Sequence, residues 1–280
     1  MTSLRLHRLF DVAEWIDPAE MAVMKPIEFT ARDGLKIHGY LTLPKGSLGK
    51  SLPMVVRVHG GPAARDTWGF DSEVQFFANR GFAVLQVNFR GSTGYGASFL
   101  RAGFKEWGLK QQDDITDGVK WAISQGIADP QRIAIYGASY GGYAALIGLE
   151  KTPQLYRCGI CYAGVTDIKR TIDRPLPMLD MTRNIMALTV GDPKTEKLQL
   201  KEKSPLENCD LIQVPVLLAY GELDERVPIN TGRDLAKALK KRGKLYDFIV
   251  KNDEGHGFHK EANRIEFWKK VDEFLKAQLN

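Results

Sequence analysis

Two hydrophobic patterns alternate along the chain. Short, continuous apolar runs at 54–58, 82–88, 133–136, 158–163, 214–219 and 246–250 are strand-sized and apolar on both faces, as in strands buried between helices. Between them apolar residues recur every three or four positions. The spacing predicts helices over 71–79, 113–125 (Ile115, Val119, Ala122, Ile123), 230–241 and 262–279, the last turning Ile265, Trp268, Val271, Phe274 and Leu275 inward. Gly81, Gly126 and Gly243 stop three of these stripes. Ahead of them, 26–30 and 36–43 read as antiparallel strands around Arg32-Asp33-Gly34. Asp17-Pro18 opens a helix running to about Met24. The expected fold class is therefore α/β: a mostly parallel central sheet flanked by helices over 26–280, preceded by a short helical connector at 1–25.

Composition narrows the function. A chain of 280 residues, 44% hydrophobic, suits one large α/β domain. Its longest apolar runs are too short to span a bilayer, so no membrane partner is expected. The N-terminus lacks the apolar core of a secretion signal, which points to the cytoplasm. Net charge is +5, but basic and acidic residues interleave over 194–203 and no nucleic-acid motif accompanies them. That reads as a solvated face. Cys158 and Cys161 match C-x-x-C inside an apolar strand, where residues three apart face opposite sides. Both read as small buried hydrophobes, and no metal or organic cofactor is expected.

Gly137-Ala-Ser139-Tyr-Gly141 fits G-x-S-x-G, the nucleophile elbow, with a strand before it and a small-residue helix after it. A serine hydroxyl needs a base to take its proton and a carboxylate to hold that base. On this kind of sheet the three follow in the order Ser, Asp or Glu, His. Asp224 lies on the loop after the 214–219 strand, with Glu222 and Glu225 as second choices; His256, between two glycines, follows the last strand. Among the other histidines, His59 reads as a prop for its own loop. The developing oxyanion needs preformed donors. The amide of Tyr140 directly after the serine, and that of Gly61 in His59-Gly-Gly-Pro62, are the candidates. Arg65, Trp68 and Tyr95 border that side and are candidates for the substrate pocket. Met178 and Met181, in the apolar stretch 175–186 that also holds Ile185, serve a pocket or the core equally well.

Together, His59-Gly-Gly-Pro62 with Arg65 and Trp68, Asn88-Phe-Arg-Gly-Ser-Thr-Gly-Tyr-Gly96, the elbow, Asp224-Glu-Arg-Val-Pro228 and Gly255-His-Gly-Phe258 resemble the catalytic domain of the prolyl oligopeptidase family, nearest its acylaminoacyl-peptidase branch. The resemblance covers about 26–279. It implies an α/β-hydrolase fold, the triad Ser139, Asp224 and His256, and an oxyanion hole from Gly61 and Tyr140. Such proteins usually carry an N-terminal β-propeller that screens substrates. This chain has no room for one, and residues 9–20 are similar to the connector that leaves it, so a compact natural form and a fragment both fit. An open triad with no anchor for a peptide's N-terminus favours a carboxylic-ester hydrolase on small acyl esters. The alternatives are a serine peptidase on short or N-acylated peptides, its site completed by a propeller or a homo-oligomeric copy, and a non-catalytic binding domain.

Overall fold

Strands that are apolar on both faces need cover on both, and the chain supplies it. The structure, a computed structural model, describes residues 14–173 and 180–280, with the backbone alone at 180–183. Its strands are β1 (Met24–Thr30), β2 (Lys36–Thr42), β3 (Leu52–Val58), β4 (Ala83–Asn88), β5 (Ala128–Ala138), β6 (Cys158–Tyr162), β7 (Val216–Gly221) and β8 (Leu245–Lys251). They form one sheet in the order β1-β2-β4-β3-β5-β6-β7-β8. β1, β2 and β4 pair antiparallel; from β4 to β8 every pairing is parallel.

The helices are α1 (Ser72–Asn79), α2 (Ala97–Arg101), α3 (Lys110–Ser124), α4 (Tyr140–Lys151), α5 (Ile168–Ile172), α6 (Asp180–Thr189), α7 (Lys197–Glu202), α8 (Ile229–Lys241) and α9 (Glu261–Leu279). On one face of the sheet Met54, Val56 and Val58 pack with Ile115 and Val119 of α3, Leu146 of α4 and Leu235 of α8. On the other, Val55, Ala134 and Tyr136 pack with Phe77 of α1 and Val271 and Phe274 of α9. Neighbours such as Val55 and Val56 thus serve opposite cores. Each fully buried aliphatic or aromatic side chain contributes roughly 1.5–3 kcal/mol.

Two expectations change. Asp17 does cap a turn, accepting the Ala19 amide at 2.8 Å, but the turn is a single 3₁₀ piece, Pro18–Glu20. The chain then joins the sheet as its edge strand at Met24, pairing with β2 and placing Met24 and Phe29 in the two cores. In α9 the inward stripe is Phe267, Val271, Phe274, Leu275 and Leu279, whereas Ile265 faces solvent at 48% exposure.

The strand order reverses at β3. The chain steps from β3 to β4 on one side and later to β5 on the other, so the carboxyl ends of β3 and β5 flank a crevice. The site sits there.

Candidate active site

The loops after β3, β5, β7 and β8 carry the sequence-predicted residues to one sheet edge. Ser139 leaves β5 with φ +58° and ψ −120°, a conformation that L-residues rarely hold. Such a turn brings helix and strand almost into contact. A Cβ at Gly137 would lie 2.4 Å from Gly141 backbone atoms, and one at Gly141 would lie 2.0 Å from the Val58 carbonyl oxygen. Only glycine fits at either place. The Ser139 carbonyl accepts the Tyr143 amide at 3.1 Å, so α4 starts on the serine itself. Its first-turn amides, beginning with that of Tyr140, have no partner within the helix and carry the positive end of its dipole.

His256 Nε2 lies 3.0 Å from Ser139 Oγ, and its Nδ1 lies 2.8 Å from Asp224 Oδ2. Nδ1 faces a carboxylate and therefore carries the ring proton, leaving the Nε2 lone pair toward the serine. The Asp224 side chain is fully buried, while the imidazole keeps 17% exposure. Asp224 Oδ1 accepts the amides of Arg226 and Val227, both at 2.8 Å. Every oxygen of the buried carboxylate is therefore engaged, which is what makes its burial tolerable. The second choices for this role lie apart from it: Glu222 pairs with Arg233 at the surface, and Glu225 is exposed. The two loops are stapled as well. The Leu223 amide donates to the Glu254 carbonyl at 2.9 Å, and the Glu254 carboxylate accepts the amides of His259 and Lys260 at 2.9 and 2.8 Å.

On the other flank, Gly60 comes close enough that an added Cβ would lie 3.5 Å from the Ser139 Cβ. The His59 ring is buried, stacks on Phe89 at 4.4 Å, and bridges Gly60 O (Nδ1, 2.8 Å) and Ser92 Oγ (Nε2, 3.0 Å). Burial pushes this imidazole below its usual pKa, outweighing the nearby Asp66 carboxylate. It is a neutral prop. Because its Nδ1–H holds the Gly60 carbonyl, the amide of Gly61, on the same planar trans peptide, must point the opposite way. Behind Ser92, Arg90 binds Asp114 and Asp33, each through two nitrogens. This ion pair fixes the start of the loop after β4.

A cleft of about 280 Å³ opens beside Gly61, walled by Leu100, Phe104, Trp107, Ile185, Met186 and Val190. Gln111 lies at its edge with both ends of its amide engaged: Oε1 accepts the Tyr140 hydroxyl at 2.7 Å and Nε2 donates to Arg90 O. What it offers a ligand is therefore mainly apolar surface. Ile185, from the apolar stretch singled out in the sequence, is among the walls. Met181 is described by its backbone alone, and Met178 lies outside the described residues. The other pocket candidates are committed elsewhere. Arg65 donates to the hydroxyls of Tyr40 and Tyr95 and stacks over the Tyr95 ring. Tyr95 packs against His38 at 4.5 Å. Trp68, 69% exposed, donates to the Met24 carbonyl. Nothing in the sequence signals Leu100, Phe104 or Trp107, which follow β4 without periodicity. Among the described residues no group of three or more His, Cys, Asp or Glu could hold a metal ion, and no helix is long and apolar enough to cross a membrane. Cys158, Cys161 and Cys209 are buried and unpaired by disulfides.

With this geometry in place, likeness to known proteins becomes informative. The sequence model of the prolyl oligopeptidase family matches residues 68–280. The chain is 37% identical over 279 residues to dipeptidyl aminopeptidase BIII of Pseudoxanthomonas mexicana, covering 96% of the chain and 40% of that protein. It is 35% identical over 276 residues to dipeptidyl peptidase family member 6 of Caenorhabditis elegans, covering 90% of the chain and 37% of that protein. The chain thus spans about two fifths of the length of these relatives. Among solved structures, a puromycin-hydrolyzing peptidase of Mycobacterium tuberculosis superposes with a TM-score of 0.88 at 28% identity, covering 96% of the chain and 41% of its own. The fold is that of the α/β-hydrolases.

Proposed function

The chain belongs to the prolyl oligopeptidase family of serine peptidases, and on that footing we propose that it cleaves short peptides after an apolar residue, with Ser139 as nucleophile. The observation that carries the reading is the unbroken series Ser139 Oγ, His256 Nε2, His256 Nδ1, Asp224 Oδ2 beside an apolar cleft. His256 takes the serine proton as Oγ attacks the carbonyl carbon. The amides of Gly61 and Tyr140 receive the oxyanion, each worth roughly 2.7–4 kcal/mol. The same imidazole then returns the proton to the leaving amine, and water, deprotonated by His256, releases the acyl group from Ser139. The cleft beside Gly61 takes the apolar side chain on the acyl side of the scissile bond.

The small-acyl esterase expected first from the sequence gives way to the peptidase alternative, because the related proteins are peptidases. An amide asks more of the site than an ester does: the leaving nitrogen must be protonated, and one ring within reach of Ser139 can supply that proton. A panel of peptidyl anilides and ethyl esters with matched acyl groups tests the proposal. Anilide turnover that vanishes in Ser139→Ala supports it; ester turnover with no anilide turnover would overturn it.

A further inference from the structure

Tyr162 ends β6 beside the elbow, in register with Ala138 of β5, and it holds both halves of the site. Its carbonyl accepts the Ser139 amide at 2.9 Å. Its hydroxyl accepts the amide of Phe258, two residues beyond His256. The ring is clamped between Phe267 at 4.6 Å and Phe258 at 5.0 Å. Burial holds the phenol well above its usual pKa, so the group bonding Phe258 is the neutral hydroxyl.

The His256 loop explains why that bond matters. Gly255 and Gly257 flank the histidine, and Gly257 takes φ +107°, so the backbone on both sides of the ring is intrinsically loose. The position of the ring therefore depends on anchors outside the glycines. On one side Glu254 is held by its carbonyl's bond from the Leu223 amide. On the other, the first backbone group past Gly257 is the Phe258 amide, and its partner is Tyr162. An added Cβ at Gly257 would lie 3.7 Å from the Tyr162 hydroxyl oxygen, so the phenol sits directly against the loop. One residue thus ties the nucleophile's backbone to the base's backbone.

We propose that Tyr162 is a positioning residue, its hydroxyl setting the approach of His256 to Ser139; this rests on the reading of those two groups as base and nucleophile. Misplacement of a reacting group by about 1 Å can cost on the order of 10²-fold in rate. Tyr162→Phe keeps the ring and removes only the acceptor. Its kcat on a peptidyl anilide, per active site titrated with a fluorophosphonate, is expected to fall about 10- to 100-fold, with KM changed less than about 2-fold. Phe267→Leu loosens the same aromatic stack and leaves the hydroxyl bond in place. It should lower Tm yet keep kcat per titrated site. Retention of kcat by Tyr162→Phe within about 2-fold would overturn the proposal. So would an equal kcat loss in Phe267→Leu at matched Tm, because generic loosening would then explain both. Ser139→Ala separates the two levels of inference: if it turns over anilide as the parent does, the assignment of nucleophile and base fails, and not the role of Tyr162 alone.

Discussion

Asp224→Asn exchanges one carboxylate oxygen for an NH2 group and should abolish hydrolysis while sparing the fold. The side chain is wholly buried, and its Oδ1 receives two backbone amides at 2.8 Å. An asparagine must turn its carbonyl toward those amides, since its NH2 there would leave buried donors unsatisfied at about 1–3 kcal/mol each. The NH2 group then faces His256 Nδ1, where Asp224 Oδ2 now lies at 2.8 Å. Nδ1 must become the acceptor, so the ring proton moves to Nε2 and points at Ser139 Oγ, 3.0 Å away. The base has lost its lone pair. In serine peptidases built on this triad the wrong tautomer costs about 10⁴ in kcat, equivalent to about 5.4 kcal/mol in the barrier. Steady-state hydrolysis of a peptidyl anilide at pH 7 reads the loss, and urea unfolding should show stability changed by about 1 kcal/mol or less. A loss of less than about 10-fold with the fold intact would refute the tautomer argument.

Other perturbations test the scaffold. Gly141→Ala places a Cβ 2.0 Å from the Val58 carbonyl, forcing α4 away from β3; about 1–3 kcal/mol of stability should be lost, read from the urea midpoint, with kcat falling further than stability alone explains. Arg90→Ala leaves Asp114, with a side chain 0% exposed, as an uncompensated buried charge, and about 3–5 kcal/mol should disappear in the same measurement. Glu150 is buried without a partner on Oε1, and burial, reinforced by Asp210 and opposed by Lys151, pushes its pKa up to about 9. A raised carboxyl pKa means the native state holds a proton the unfolded chain has released. Stability should therefore decline as pH rises from about 4.5 toward 9, by up to about 1.4 kcal/mol per unit, and Glu150→Gln should flatten that slope in pH-dependent calorimetry.

What the sequence revealed, and what it hid, follows from the range of the forces involved. Buried strands and long amphipathic helices announce themselves because burial is periodic along the backbone. The elbow glycines are legible because the turn itself demands them: Gly137 meets the Gly141 backbone within five residues, while Gly141 also meets the Val58 carbonyl, far along the chain. Boundaries were less legible. α3 starts at Lys110 rather than near Asp113, because its first turn buries polar residues whose partners lie far along the chain, Gln111 on Arg90 and Tyr140 among them. β5 reaches back to Ala128 through a register shift against Leu52 that no local pattern encodes. α2, α5 and α7 have five or six residues, too short to display a period. The spacing of Ile265 to Trp268 fits the inward face of a helix, yet Phe267 is the residue that reaches the core. The cleft is hidden for another reason: its walls come from α2 and the loop that follows it, and from α6 and the residue after it, distant segments that meet only in three dimensions. Tyr162 reads as one residue within the apolar 158–163 run, and its hydroxyl contact spans 96 positions.

An activated nucleophile at Ser139 can be trapped covalently. The folded protein and Ser139→Ala would be treated with a fluorophosphonate and examined by intact mass and peptide mapping. One adduct per chain is expected, on Ser139, and none in Ser139→Ala. An unlabelled folded protein, or an adduct on another residue that persists in Ser139→Ala, would contradict it.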